Sequence, residues 1–358
     1  MISRTLLTSL LAASLTVTAL GQSSGGGLDA SVTGATGTLT EAQKASVSKY
    51  TAGLVDTLKS KDSTAKQLDE ARTALVKPAR DPGATLAFRS GYAATLKPAL
   101  EPIVTGTDLQ RAIIAMQVLR FTRSATAVEI LIDRANPATE PDPGKRIAAG
   151  TLLIDIFDDY EGANNTYDSN ARKIRDAAAA ETDWMALQQK LNALGTAARR
   201  KDLPADNART VRRAQAEAIA RIASSAKSSA AADQRMMSLQ RVLIAVRNDL
   251  LTMPQADRSN LAKVLAPALA DTLAATAAHW DSAHASKELG ASYASTINSC
   301  EVILRLLDRG ERPSAYAGTK PESDSRVLAT SWDSKDRAKY DAEVKRWVGI
   351  VSAAPYKN

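Results

Sequence analysis

DLQRAIIAMQVLR, residues 108–120, and DPGKRIAAGTLLI, residues 142–154, are two similar stretches of this 358-residue chain. When their first arginines, 35 residues apart, are superposed, most apolar positions coincide. Each stretch begins with an aspartate and has a small residue, Ala115 or Gly150, in its middle. A helix with a small residue at its centre lets a neighbouring helix approach closely. The pattern therefore predicts two helices in equivalent positions of a repeated unit.

These residues resemble the two-helix unit of HEAT/armadillo-type α-solenoids, in which an aspartate caps the second helix and an arginine lies in its first turn. Asp108 and Arg111 match one unit, and Asp142 and Arg146 match the next. The resemblance covers about residues 100–160, and its spacing is shorter than the roughly 40–47 residues of the family's repeats. It implies a solenoid, whereas the residues alone leave an irregular helical bundle as the alternative.

The composition predicts an all-α protein. Good helix formers dominate, and the aromatic residues that strands favour make up only 4% of the chain. Apolar residues recur with a helical period and predict about a dozen antiparallel helices, packed as an α-solenoid-like array or an irregular bundle. Because proline lacks an amide donor, Pro78 and Pro98 are predicted helix ends, with Asp81 as the cap of the helix between them.

The start of the chain predicts export. Residues 1–21 combine an early arginine, an apolar run of about 15 residues and small residues at the end, which is typical of a cleaved secretory signal peptide. The run is shorter than the ~20 residues of a membrane span, and no later segment is expected to cross a bilayer. One cysteine excludes an internal disulfide, which fits a bacterial periplasm or the extracellular space. We further expect a flexible linker (22–38), a helical domain (39–309), a polar loop (310–325) and a C-terminal helical segment (326–358).

An arginine-rich stretch is the candidate binding surface. Arg209, Arg212 and Arg213 share one helix face, and Arg199 and Arg200 precede them across a short loop. Guanidinium groups suit carboxylates and phosphates, and the net charge of +7 permits anionic partners. We expect a protein partner or an anionic envelope polymer here, and an ordinary solvated face is the alternative. Nucleic acid is not expected, because no aromatic residues are interleaved.

Carboxylates crowd the end of a predicted helix over residues 146–157, where negative charge opposes the helix dipole. Asp155, Asp158, Asp159 and Glu161 could compensate by binding Ca²⁺, which takes several oxygen ligands. No other cofactor is indicated. The alternative is ion pairing with the basic residues just downstream, namely Arg172, Lys173 and Arg175, together with plain solvation.

Two functions remain open from the sequence. The first is a non-enzymatic exported scaffold or protein-binding module, because solenoids present an extended surface for partners. The second is an all-helical enzyme that acts on a cell-envelope polymer through a carboxylate pair such as Asp155 and Asp158. An enzyme of this kind needs a deep pocket that desolvates its carboxylates, and a scaffold does not.

Overall fold

The structure, a computed structural model, describes residues 27–160, 163, 165–229, 231–317 and 326–357. This part of the chain contains sixteen α-helices, a short 3₁₀ turn and no strand, so the all-α prediction is confirmed. The predicted signal peptide, residues 1–21, lies outside the described residues. The helices are α1 (Ala30–Thr33), α2 (Glu41–Lys59), α3 (Ala65–Arg80), α4 (Leu86–Val104), α5 (Leu109–Arg120), α6 (Ala125–Ala135), α7 (Pro143–Asp159), α8 (Asn165–Ala179), α9 (Trp184–Ala198), α10 (Ala205–Lys227), α11 (Met236–Thr252), α12 (Gln255–Ala278), α13 (Trp280–His284), α14 (Lys287–Glu311), α15 (Val327–Asp333) and α16 (Arg337–Val351).

The helices form a two-layer array built from successive hairpins. In the first layer α2, α4, α6, α8, α10, α12 and α16 each pack on the next, and in the second layer α3, α5, α7, α9, α11 and α14 do the same. The hairpins α2–α3, α4–α5, α6–α7, α8–α9 and α12–α14 join the layers. The repeat length is uneven, since α7 begins 34 residues after α5 and α11 begins 52 residues after α9.

The two stretches that open the sequence analysis are neighbours in the second layer, as α5 and α7. Asp108 caps α5 by accepting a hydrogen bond from the Arg111 amide at 3.0 Å, and Asp142 caps α7 by accepting one from the Gly144 amide at 2.8 Å. At the other end, the Arg120 guanidinium donates to the Asp155 carbonyl oxygen at 2.8 Å. The prediction of two equivalent, aspartate-capped helices is therefore confirmed.

The proline-based helix ends are wrong. Pro78 lies inside α3, and Pro98 lies inside α4. The residue that caps α4 is Thr85, whose hydroxyl accepts from the Phe88 amide at 3.0 Å, and not Asp81. A proline inside a helix costs about 3 kcal/mol. In α4 the apolar face continues past the proline into the core, and its burial offsets that cost.

Part of the expected linker packs against the helical domain. The structure describes residues 27–38 of this segment, which contain the short helix α1 and contact α4. Val32 is buried, and the Thr85 amide donates to the Thr33 carbonyl oxygen at 3.1 Å. At the other end of the chain α15 and α16 pack on α14 and α12, so they extend the array.

Helix α12 is the one helix in the described part of the chain that is long and apolar enough to cross a membrane. By length and composition alone, α12 is therefore an exception to the expectation that no later segment is long and apolar enough to span a bilayer. Of its most apolar window, 56% is buried inside the protein, and α12 packs on α10, α14 and α16. Leu265, Leu269 and Leu273 are among its fully covered residues. The hydrophobicity of α12 is thus explained by its burial against three neighbouring helices.

The array has two apolar cores that meet at α9 and α10. One core runs from the N-terminal helices to the first half of α10, where Val211 is its last large residue. The other begins with Ala178 and continues to Tyr356. Helix α9 contributes Leu194 to the first core and Leu191 to the second. Helices α9 and α10 therefore hold the two halves of the protein together.

Gly150 sets the distance between α7 and α9. A Cβ atom at this position would lie 2.7 Å from the Cβ atom of Gln189, which is closer than unbonded carbon atoms approach. The contact falls on the first carbon of the Gln189 side chain, so a rotamer change cannot relieve it. The small residue predicted from the repeat pattern is therefore required at Gly150 by the neighbouring helix.

A buried ion cluster locks the same two helices. Glu181 precedes α9 and is fully buried, and both of its carboxylate oxygens accept from the Arg146 guanidinium of α7, each at 2.9 Å. Lys190, also fully buried, donates to Glu181 at 2.6 Å. The amides of Thr182 and Asp183 complete the shell, each at 2.9 Å. Every oxygen of this buried carboxylate is therefore bonded, as buried charges require.

The cluster changes the titration of its members. Burial by itself would raise the pKa of Glu181, but the bonds from Arg146 and the charge of Lys190 outweigh it and lower the pKa to about 2. Burial lowers the pKa of Lys190, and the attraction of Glu181 opposes this. Because the pKa of Glu181 falls below its ordinary value of 4.5, its ionised form stabilises the fold above that pH. This stabilisation is lost as the pH falls from about 4.5 towards 2.

We expect Gly150→Ala and Gly53→Ala to change stability in opposite directions. Gly150→Ala forces α7 and α9 apart, and overpacking of this kind lowers the free energy of unfolding by about 1–3 kcal/mol. Gly53 lies inside α2, and a Cβ atom placed there would have nothing within 4 Å. Alanine at this position should therefore raise the free energy of unfolding by about 0.5–1 kcal/mol. Denaturant unfolding followed by circular dichroism measures both. An equal gain for the two variants would contradict the close approach at Gly150.

We expect Glu181→Gln to lower the free energy of unfolding at pH 7 by about 3 kcal/mol, because it leaves Arg146 and Lys190 buried without a counter-charge. The control is Glu70→Gln, which removes an exposed ion pair with Lys66. It should change the free energy of unfolding by less than about 0.5 kcal/mol. Unfolding measured between pH 5 and about 2 should also show a shallower loss of stability for Glu181→Gln than for the native chain. Equal pH slopes would show that Glu181 does not carry this titration.

Candidate functional site

The five arginines predicted as a binding surface lie on two sides of the turn between α9 and α10. Arg199 and Arg200 face a cleft of about 540 Å³ that we call the mixed cleft. Arg209, Arg212 and Arg213 face a second cleft of about 510 Å³ between the first turns of α10 and α12, which we call the basic cleft. The mixed cleft is lined by Arg120, Ile154, Asp155, Asp158, Thr196, Arg199, Arg200, Lys201 and Asp202. The basic cleft is lined by Asp206, Arg209, Thr210, Arg212, Arg213, Met253, Asp257, Asn260, Leu261, Lys263 and Val264.

The mixed cleft brings together part of the acidic cluster and two arginines of the predicted binding surface, which the sequence places in separate segments. Asp155 and Asp158 project from α7 into the same space as Arg199 and Arg200, and both carboxylates are exposed. Arg199 pairs with Asp249 of α11 at 3.3 Å. Arg200 pairs with Asp202 and donates to the Tyr160 carbonyl oxygen. Both predicted arginines in this cleft therefore have partners within the chain.

Within the acidic cluster, Asp159 is neutralised by two arginines that precede it in the chain. Asp159 pairs with Arg123 at 2.9 Å and with Arg120 at 3.4 Å. Arg175, one of the expected partners, pairs instead with Asp176 and Glu217. Among the described ion pairs, none joins Arg172 or Lys173 to this cluster, and Asp155 and Asp158 are exposed to solvent.

The structure describes only part of the candidate calcium site, because Glu161 lies outside the described residues. Among the residues that are described, no group of three or more histidine, cysteine, aspartate or glutamate side chains could hold a metal ion. The remaining three aspartates share the surface with Arg120, Arg123 and Arg200. Cations of the protein thus occupy the place that a calcium ion would take beside Asp159.

In the basic cleft the charges are unequally neutralised. Arg209 lies between Asp257, at 3.0 Å, and Asp206, so it uses both acidic residues of the cleft. Arg213 is largely exposed and pairs with Glu217 at 2.9 Å. Arg212 is half-buried and donates to the Ala198 carbonyl oxygen at 3.1 Å, without an ion pair. The cleft therefore keeps positive charge that the described carboxylates of its own lining, Asp206 and Asp257, do not balance.

The mixed cleft belongs to a longer groove along the second layer. It shares Arg120 and Asp155 with a cleft of about 490 Å³ over α3, α5 and α7. That cleft shares Arg72 and Gln117 with one of about 710 Å³ between α3 and α5. The outer side of α3, α5, α7, α9 and α11, which we call the second-layer face, thus carries connected clefts over its first four helices.

The second-layer helices also carry most of the exposed large apolar residues of the described chain. Leu109 lies on α5, Met185 on α9, and Ile244 and Leu251 on α11, whereas Leu86 alone lies in the first layer. Leu251 is the most exposed of them, at 61%. The sequence analysis missed these positions, because single apolar residues outside a buried stripe have no local signature.

Comparisons with protein-family models, curated proteins and solved structures found no match to this chain. The site is therefore defined by its geometry alone.

We expect a millimolar excess of EDTA to leave the melting temperature unchanged, because Asp159 is already neutralised by Arg120 and Arg123. Differential scanning calorimetry with EDTA and with added CaCl₂ measures the effect. Mg²⁺ at equal ionic strength is the control for charge screening. A loss of several degrees that only Ca²⁺ restores would instead establish a calcium site at the end of α7.

Proposed function

We propose that this protein is an exported, non-enzymatic helical scaffold that binds a protein partner through its second-layer face. The finer architecture that we propose is a solenoid of the HEAT/armadillo type, in which α5 and α7 are the capped second helices of two units. Export rests on the signal-like residues 1–21. The two-layer order of the helices supports the solenoid, although the uneven repeat length departs from a regular one.

The observation that carries the proposal is the coincidence of connected clefts and exposed apolar side chains on one layer. Protein interfaces combine apolar residues at the centre with arginine, and they extend over many residues. The second-layer helices have this combination, with Ile244 and Leu251 both on α11, which packs on α9 next to the arginines of the mixed cleft. Each large apolar side chain that a partner covers contributes about 1.5–3 kcal/mol.

The geometry gives less support to an enzyme that uses a carboxylate pair. A general acid at neutral pH is usually desolvated in a pocket, which raises its affinity for a proton. Asp155 and Asp158 are exposed on the surface of α7, in an open cleft that also contains Arg120 and Lys201. The site therefore favours recognition of a partner over acid–base chemistry.

The proposal can be tested by placing a photo-reactive benzoylphenylalanine at single positions in the cells that make the protein. At Ile244 and Leu251 we expect one discrete cross-linked protein, because a partner covers these side chains. At the exposed first-layer positions Lys49 and Arg221, which serve as matched controls, we expect none. Leu251→Asp should reduce cross-linking from position 244 about tenfold, since a charge cannot enter an apolar contact.

Equal cross-linking from both layers, or none from the second-layer face, would contradict the proposal. The melting temperature of each variant shows that the loss does not come from unfolding.

A further inference from the structure

We propose that the basic cleft between α10 and α12 binds an acidic segment of a partner polypeptide in which an apolar residue adjoins a carboxylate. The cleft is distinct from the second-layer face, although the turn after α9 separates them by only a few residues. This inference rests on the proposed function for the class of its ligand, a protein, and adds the chemistry of the segment recognised.

The first argument is charge that the protein leaves unbalanced. The two carboxylates of the cleft, Asp206 and Asp257, both bond Arg209. The lining still has more cations than carboxylates, because it also contains Arg212, Arg213 and Lys263. Among the described residues Arg212 forms no ion pair; it lines the cleft and donates one hydrogen bond to the Ala198 carbonyl oxygen. A guanidinium has five N–H donors, so a carboxylate of a ligand can also bond it.

Lys263 supplies a second free cation on the opposite wall. It is exposed on α12, and among the described residues its ammonium group has no hydrogen bond or ion pair. Asp249 interacts with Arg212 but does not line the cleft; it is bonded to Arg199 at 3.3 Å, and burial raises its pKa. The remaining positive charge therefore faces the cleft from both helices.

The second argument is the apolar part of the lining. Met253, Leu261 and Val264 form part of the wall, and the last two are half-buried, so an apolar side chain can still cover them. Thr210 and Asn260 add a hydroxyl and an amide that can bond a peptide backbone. A cleft of about 510 Å³ holds a few residues of chain.

This lining favours a peptide over other anions. No aromatic side chain lines the cleft, so it lacks the stacking surface that single-stranded nucleic acid uses. Inorganic phosphate would use Arg212 and Lys263 but leave the apolar wall uncovered. An acidic residue beside an apolar one uses both parts of the cleft.

The test is fluorescence anisotropy with a labelled peptide that alternates glutamate and leucine, added to the full chain. We expect Lys263→Glu to weaken binding at least tenfold, because it reverses a charge that makes no other contact. Arg212→Gln should weaken it about tenfold, and Arg213→Gln less than about threefold, since Glu217 already pairs with that residue. Lys345→Glu, an equal charge change on the exposed side of α16, should leave the affinity unchanged within twofold.

Two further peptides separate charge from apolar contact. A glutamine–leucine peptide should lose binding, and a glutamate–serine peptide should bind about tenfold more weakly. Inorganic phosphate should compete only weakly with the original peptide.

The proposal is overturned if Lys263→Glu and Lys345→Glu weaken binding equally, since net charge alone would then attract the peptide. It is also overturned if serine replaces leucine without loss, or if vesicles of anionic phospholipid bind through Lys263 and the peptide does not. Cross-linking from Leu251 is independent of Lys263, so its persistence in any of these cases would leave the scaffold function standing.

Discussion

The contact between α7 and α9 is the constraint on which the rest of the structure depends. Gly150 lets the two helices approach closely, and the Glu181 cluster fixes the beginning of α9 against the first turn of α7. An array of hairpins transmits each neighbour contact to all later helices, because each helix touches mainly the next one in its layer. Helix α9 also contributes to both apolar cores. A displaced α9 would therefore separate the two halves and open the groove over α5 and α7.

The sequence predicted the parts of this fold that depend on local chemistry. The aspartate caps and the helical period of the apolar residues identified α5 and α7. The alignment of the two stretches identified Gly150 as a position where a neighbouring helix approaches closely. The sequence did not predict that α4 continues past Pro98. The cost of an internal proline arises within the helix, whereas the burial of Leu96 and Leu100 that offsets it depends on contacts with other helices. The one sequence signal for this was an apolar period that did not stop at the proline.

For the candidate site, the sequence identified the arginines but not which of them are neutralised. Arg209 is paired with Asp257, 48 residues away, and Asp159 is paired with Arg120 and Arg123 of the preceding second-layer helix and its following turn. These ion-pair partners are brought together by the packing of helices that are distant in the chain. Candidate partners chosen among nearby residues in the sequence were therefore wrong for Asp159. A search at the 35-residue spacing could have found the link from Arg120 to Asp155.

On the two proposals, the second-layer face and the basic cleft contribute different interactions to the binding of a partner. Apolar side chains on the second-layer face supply affinity in proportion to the area they bury. Cations in the basic cleft act over about 10 Å at about 0.1 M salt and mainly speed association and orient a partner. Many arginines among the described residues are instead paired within the chain, such as Arg175, Arg199 and Arg209. On the two proposals taken together, a partner with one acidic segment would be drawn to the basic cleft, and the apolar contacts would then hold it along the second layer.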